Sequence, residues 1–213
     1  YRQLDQDAKA IAQWLQTRNF AGERALLLYP SGLDYIRAFW GCLYAGVVAV
    51  PAFSPHRSRT FSRLRSIVAN AEPVACLTTQ AILSRIQQTT QTPLSLHWLA
   101  TDTLSPQRKA KWHPFDIQAD ALAFLQYTSG STASPKGVMV SHQNLLHNLE
   151  ATRQLVEITT DDVGCFWLPL YHDMGLIGWL LQILYSGSQG IFMSPLDFVQ
   201  KPIRWLEAIT QFR

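Results

Sequence analysis

Residues 24–50 read RALLLYPSGLDYIRAFWGCLYAGVVAV, and this stretch decides the fold. Arg24 to Tyr29 is a short apolar run ended by Pro30, as expected of a buried strand. Leu33, Ile36, Trp40 and Leu43 then recur at helical spacing as far as Gly46, a C-terminal stop, and Val47 to Val50 returns to strand pattern. The same alternation extends in both directions. Upstream, Leu4, Ala8, Ile11, Ala12 and Leu15 mark a helix. Downstream, Phe61, Leu64, Ile67, Val68 and Ala71 mark another before a strand at Val74 to Thr78, and a weaker helix from Gln80 to Gln88 precedes Leu94 to Leu99. Helix and strand alternating in this way predict an α/β fold, with parallel sheets flanked by helices.

Thr101 to Asp120 is polar, carries Pro106 and Pro114 and has no clear period, so it reads as a connection. The expected organisation is a first α/β subdomain over 1–100, a connection over 101–120 and a second subdomain over 121–213. In the second part Leu122 to Tyr127 and Val138 to Val140 read as strands separated by a loop of small residues. A helix starts near Ser141 with Leu145, Leu149 and Val156 on one face. Cys165 to Leu168 and Gly190 to Met193 read as strands, Gly175 to Tyr185 as a short apolar helix stopped by Gly187, and Pro202 opens a last helix at its favoured first position.

Composition excludes several function classes. Of 213 residues, 47% are hydrophobic and only 15% charged, which implies a large core and a globular chain. The net charge of +3 is small, and the densest basic stretch, Arg57, Arg59, Arg63 and Arg65, lies beside a helical pattern without interleaved aromatics; no nucleic-acid partner is expected. Cys42, Cys76 and Cys165 stand far apart, with no metal-ligand spacing, so neither a zinc site nor a disulfide framework is expected and a reducing cytoplasm fits best. The uncharged run Phe39 to Phe53, which contains Gly41, Gly46 and Pro51, is too short to span a bilayer and reads as a helix end turning into a buried strand. The chain opens on Tyr1 and stops at Arg213 within a helical pattern, which reads as a piece of something longer.

The loop between the two later strands carries the chemistry. Thr128, Ser129, Gly130, Ser131, Thr132, Ala133, Ser134, Pro135, Lys136 and Gly137 combine five hydroxyls with one ammonium. Phosphate oxygens accept hydrogen bonds from hydroxyls and backbone N–H groups, a glycine lets the main chain come close, and lysine supplies a compact positive charge. A solvated hairpin loop is the plain alternative; the ordered Lys136–Gly137 ending turns the reading towards the phosphates of ATP. A Walker loop needs glycine before the lysine and Ser or Thr after it, whereas Pro135 and Gly137 occupy those places. There is also no G-x-S-x-G elbow, so Ser129 and Ser131 are expected to be ligands and not nucleophiles.

A second motif, LPLYHDMGLIG, begins at Leu168 and places His172 and Asp173 between a strand and an apolar helix, where ligands commonly bind. Taken alone, such a pair is more often a structural hydrogen-bonding pair or a helix cap than a catalytic dyad. With the stretch YTSGSTASPKG the two motifs resemble the adenylate-forming (AMP-binding) superfamily. The form H-D-M-G, together with RALLLYPSGLDYIRAFWGCLYAGVVAVPAFSP and MSPLDFVQKPIRWLEAI, is similar to its fatty acyl-AMP ligases. Ala133 departs from the pattern, where most members carry glycine.

The resemblance implies an incomplete N-terminal domain of the adenylate-forming fold and activation of a fatty acid by ATP, giving acyl adenylate and pyrophosphate. The acyl group would pass to the phosphopantetheine thiol of an acyl carrier protein. By the same resemblance Thr128, Ser129, Gly130, Ser131, Thr132, Ala133, Lys136 and Gly137 would bind ATP, and His172, Asp173, Met174 and Gly175 would lie near the acyl carboxylate. Lys136 and His172 are the catalytic candidates. Mg²⁺ would accompany ATP, with its protein ligands outside these residues, so the chain alone is expected to be inactive. Ile177, Trp179, Leu180 and Leu181 could line an acyl tunnel, although such spacing belongs more often to core. An acyl- or aryl-CoA ligase and a non-catalytic acyl- or nucleotide-binding module are the rival readings.

Overall fold

The computed structural model describes residues 1–54, 58–89, 95–104, 112–127 and 135–212. Packing divides the chain into two units, Tyr1–Ser141 and His142–Arg213. In the first unit helices α1 (Arg2–Gln16), α2 (Leu33–Tyr44), α3 (Ser58–Ala71) and α4 (Gln80–Thr89) alternate with strands β1 (Arg24–Leu28), β2 (Val48–Ala52), β3 (Ala75–Thr78) and β4 (His97–Ala100). Strands β5 (Leu122–Tyr127) and β6 (Gly137–Ser141) complete a six-stranded sheet in the order β4-β3-β1-β2-β5-β6. Every neighbouring pair is parallel except β5 with β6.

The run ALLL forms the centre of this sheet because β1 lies between two parallel neighbours and has both faces covered. Ala25, Leu26, Leu27 and Leu28 are fully buried. On one face Leu26, Leu28, Val50, Ala52, Cys76 and Tyr127 pack with Leu64, Ile67 and Ala71 of α3 and Ile82 and Ile86 of α4. Elsewhere Phe39 of α2 meets Phe124 of β5 edge to face at 5.7 Å, and α1 buries Ala8, Ile11, Ala12 and Leu15 of the predicted stripe, while Leu4 is half-buried. Each large side chain so buried contributes roughly 1.5–3 kcal/mol, which offsets the backbone ordering that strands require.

The two compact units meet between Ser141 and His142, beyond the polar segment 101–120. The segment joins two strands of one sheet, and residues 122–141 belong to the first unit. Its described part is tied back to the first two helices: the Trp112 indole N–H donates to the Tyr44 carbonyl at 3.1 Å, and the Gln16 side-chain amide donates to the His113 carbonyl at 2.8 Å. A polar, proline-bearing composition conceals those contacts.

The second unit holds a two-stranded parallel sheet, β7 (Val163–Phe166) with β8 (Gln189–Phe192). It also holds α5 (His142–Val156), α6 (Asp173–Gly175), a π-helical stretch over Leu176–Leu181, α7 (Gln182–Ser186), α8 (Pro195–Gln200) and α9 (Ile203–Gln211). Leu145 and Leu149 of α5 are buried as expected, while Val156, at its last residue, is exposed. Pro202 stands at the N-cap of α9 and not at its first turn position. Gly46 and Gly187 both take the left-handed φ of helix stops, at +66° and +68°. Among the described residues no helix is long and apolar enough to cross a membrane.

Candidate functional site

Thr128, Ser129, Gly130, Ser131, Thr132 and Ala133 lie outside the described residues. Tyr127 ends β5 and faces Gly137, the first residue of β6, across the antiparallel ladder. A hairpin therefore delivers both ends of the loop to one place, and Lys136 enters β6 with its side chain exposed. Gly137 is constrained by more than its turn. A Cβ there would stand 3.0 Å from the ring carbon Cζ of Tyr127 and 3.1 Å from its hydroxyl oxygen, so the small residue lets the tyrosine lie across the strand. That hydroxyl donates to the Asn70 side-chain oxygen of α3 at 2.5 Å, and burial raises its pKa.

The second motif belongs to the second unit. His172 is the N-cap of α6, with extended backbone and no side-chain cap hydrogen bond. Its Nδ1 lies 2.5 Å from Asp173 Oδ1, and the same oxygen accepts the Met174 amide at 2.7 Å. The turn is closed by the His172 amide donating to the Pro169 carbonyl at 3.1 Å and by the Leu176 amide donating to the His172 carbonyl at 2.9 Å. His172, Asp173 and Met174 are exposed, whereas Gly175 is buried. A Cβ on Gly175 would overlap the Pro169 carbonyl oxygen and stand 2.9 Å from its carbon. Gly175 thus serves the close approach of helix to loop, beside which its three neighbours form an exposed ridge.

Behind the ridge, the helix continues in π geometry over Leu176–Leu181, a form that is rare and often found at functional sites. Leu176, Leu180 and Leu181 are buried core, and Trp179 stacks on Phe166 at 5.6 Å. Strand β7 is further held by Trp205, whose indole N–H donates to the Cys165 carbonyl at 2.8 Å. Trp167 stacks on Phe198 at 3.7 Å with the rings 3° from parallel. The three cysteines are free. No group of three or more His, Cys, Asp and Glu side chains among the described residues is placed to hold a metal ion.

The sequence pattern of the AMP-binding enzyme family matches residues 1–213, the whole chain. The chain belongs to this family. Among AMP-binding relatives, the medium-chain-fatty-acid–[acyl-carrier-protein] ligase JamA of Moorena producens is 43% identical over 220 residues, covering all of this chain and 37% of that protein. The long-chain-fatty-acid–AMP ligase FadD32 of Mycolicibacterium smegmatis is 37% identical, covering 95% of this chain and 33% of its own length. A crystal structure of the fatty acyl-adenylate ligase from Legionella pneumophila, in complex with acyl adenylate and pyrophosphate, superposes with a TM-score of 0.92 at 44% identity, over all of this chain and 37% of that one. This AMP-binding chain therefore spans about a third of the length of these relatives.

Proposed function

We propose that this chain is part of a fatty acyl-AMP ligase, which activates a fatty acid with ATP and passes the acyl group to the phosphopantetheine thiol of an acyl carrier protein. The observation that carries this reading is the whole-chain likeness, at 44% identity, to a ligase whose structure holds acyl adenylate and pyrophosphate. In the reaction a carboxylate oxygen of the fatty acid attacks the α-phosphorus of ATP. The bond from that phosphorus to the bridging oxygen breaks, and its electron pair leaves on pyrophosphate. A carboxylate is already a nucleophile, so no general base is needed. The protein's task is to align two anions, neutralise their repulsion and stabilise the charge that develops on the leaving group.

Lys136 is suited to the last of these because its exposed ammonium is delivered at the hairpin entry. Thr128 to Ala133 and Gly137 would supply hydroxyls and amides to the phosphates. His172, Asp173 and Met174 would stand beside the acyl carboxylate, with Gly175 holding the turn that presents them. Mg²⁺ would arrive with ATP, its protein ligands lying outside the described residues. The cytoplasm fits three free cysteines.

The test is product analysis in the whole protein. ATP, magnesium and a series of fatty acids are supplied, acyl adenylate is sought by mass spectrometry, and holo carrier protein and coenzyme A are offered in parallel as acceptors. Acyl adenylate transferred to the carrier protein is the expected result. Transfer to coenzyme A alone would make the enzyme a CoA ligase, and failure to form adenylate with any acid would remove the ligase reading altogether.

A further inference from the structure

We propose that Asn70 is a positioning residue for Lys136, acting through the Tyr127 ring and the Gly137 backbone. The proposal rests on the reading that Lys136 meets the phosphates of ATP. Asn70 lies in the last turn of α3, an element distant in sequence from the loop and outside both motifs. Its side-chain oxygen accepts the Tyr127 hydroxyl at 2.5 Å. The tyrosine ring packs among the α3 and α4 side chains and lies across Gly137, its partner in the β5–β6 ladder.

Three features make this a tether for the lysine. Strand β6 is the edge of the sheet, paired on one side only, and the end of an edge ladder frays more readily than its middle. The Tyr127–Gly137 pair is the last of that ladder on the loop side, one residue from Lys136. The ring cannot swing away while its hydroxyl is held from α3, and while it stays it covers the Gly137 backbone. Asn70 therefore fixes a tyrosine, the tyrosine fixes the first residue of β6, and that residue fixes the direction in which the Lys136 side chain departs. Gly137 takes part because a Cβ there would stand 3.0–3.2 Å from the Tyr127 ring and hydroxyl and press the ring outwards by a few tenths of an ångström.

The experiment compares Asn70→Ala, Tyr127→Phe, their combination and Asn70→Asp in the whole protein. Losing one hydrogen bond of this kind is expected to raise the KM for ATP roughly three- to tenfold, while the KM for the fatty acid stays at its wild-type value. The double variant should be no worse than either single one, because both break the same link. Asn70→Asp, whose carboxylate still accepts the hydroxyl, should restore the wild-type KM. Asn70 is exposed, so Asn70→Ala should fold normally.

A second readout does not need ATP to be the substrate. Amide hydrogen exchange in the peptide 135–141 should quicken in Asn70→Ala and Tyr127→Phe and match wild type in Asn70→Asp. Unchanged exchange in Asn70→Ala, or equal rises in the KM for ATP and for the acid, would overturn the proposal. Quickened exchange in a protein that forms no adenylate would uphold the tether and overturn the ligase reading instead.

Discussion

The Pro169 carbonyl oxygen occupies the space that a Cβ on Gly175 would need, so the loop before His172 and the first turn of the following helix are in direct backbone contact. This contact makes the turn of the second motif rigid. Backbone cannot yield as a flexible side-chain end can, and the overlap has to be relieved by moving the helix or the loop. Gly175→Ala is therefore expected to cost about 1–3 kcal/mol, as overpacking does. It should also displace the His172–Met174 ridge and raise the KM for the fatty acid. Denaturant midpoints and acid-dependence of turnover check this; a variant with both unchanged would mean that the turn tolerates a shift.

Trp205 reaches from α9 to the Cys165 carbonyl on β7. Trp205→Phe keeps an aromatic ring against Phe198 but removes the donor. The expected loss is about 1 kcal/mol of stability, the ordinary worth of one such bond, read as a lower urea midpoint at constant slope. A midpoint equal to wild type would show that the bond contributes nothing net.

Glu150 receives hydrogen bonds from Arg153, Gln154 and the Tyr185 hydroxyl, the last joining α5 to α7. Arg153 is the largest influence, and together they hold the carboxyl down to about 2. Because the folded state favours the charged form, this cluster stabilises the protein above the ordinary glutamate range. The contribution is lost as the pH falls from that range towards 2. NMR titration of Glu150 checks the shift, which should diminish in Tyr185→Phe, though solvent around the exposed cluster keeps the effect on stability small. An ordinary glutamate titration in the wild type would contradict the arrangement.

Much of the α/β framework was legible because strands buried on both faces must be continuously apolar and helices with one buried face must be periodic; 24–50 alone contains β1, α2 and most of β2. Other features follow from contacts that composition does not carry. The 101–120 segment looks like a linker until Trp112 and His113 are seen bound to the first two helices. Ser194, Pro195 and Asp197 spell the start of α8, a signal that apolar periodicity does not register: the Ser194 hydroxyl accepts the Asp197 amide at 3.1 Å, and Pro195 stands in the first turn. The π geometry of Leu176–Leu181 has no residue signature that distinguishes it from an α-helix. In the candidate site, Lys136 and the His172 turn announce themselves by residue type and order, whereas Asn70 is one polar residue on an amphipathic helix. Only the hydroxyl of Tyr127 marks it out.

The central claim is that the exposed Lys136, delivered by the β5–β6 hairpin, serves acid activation by ATP. The most direct measurement is fatty-acid-dependent exchange of labelled pyrophosphate into ATP by the whole protein, with wild type and Lys136→Ala side by side. The account predicts exchange that requires a fatty acid in the wild type and falls roughly 10²–10³-fold in the variant, the scale of losing one group that stabilises transition-state charge. Exchange that needs no fatty acid, or that persists undiminished in Lys136→Ala, would contradict it.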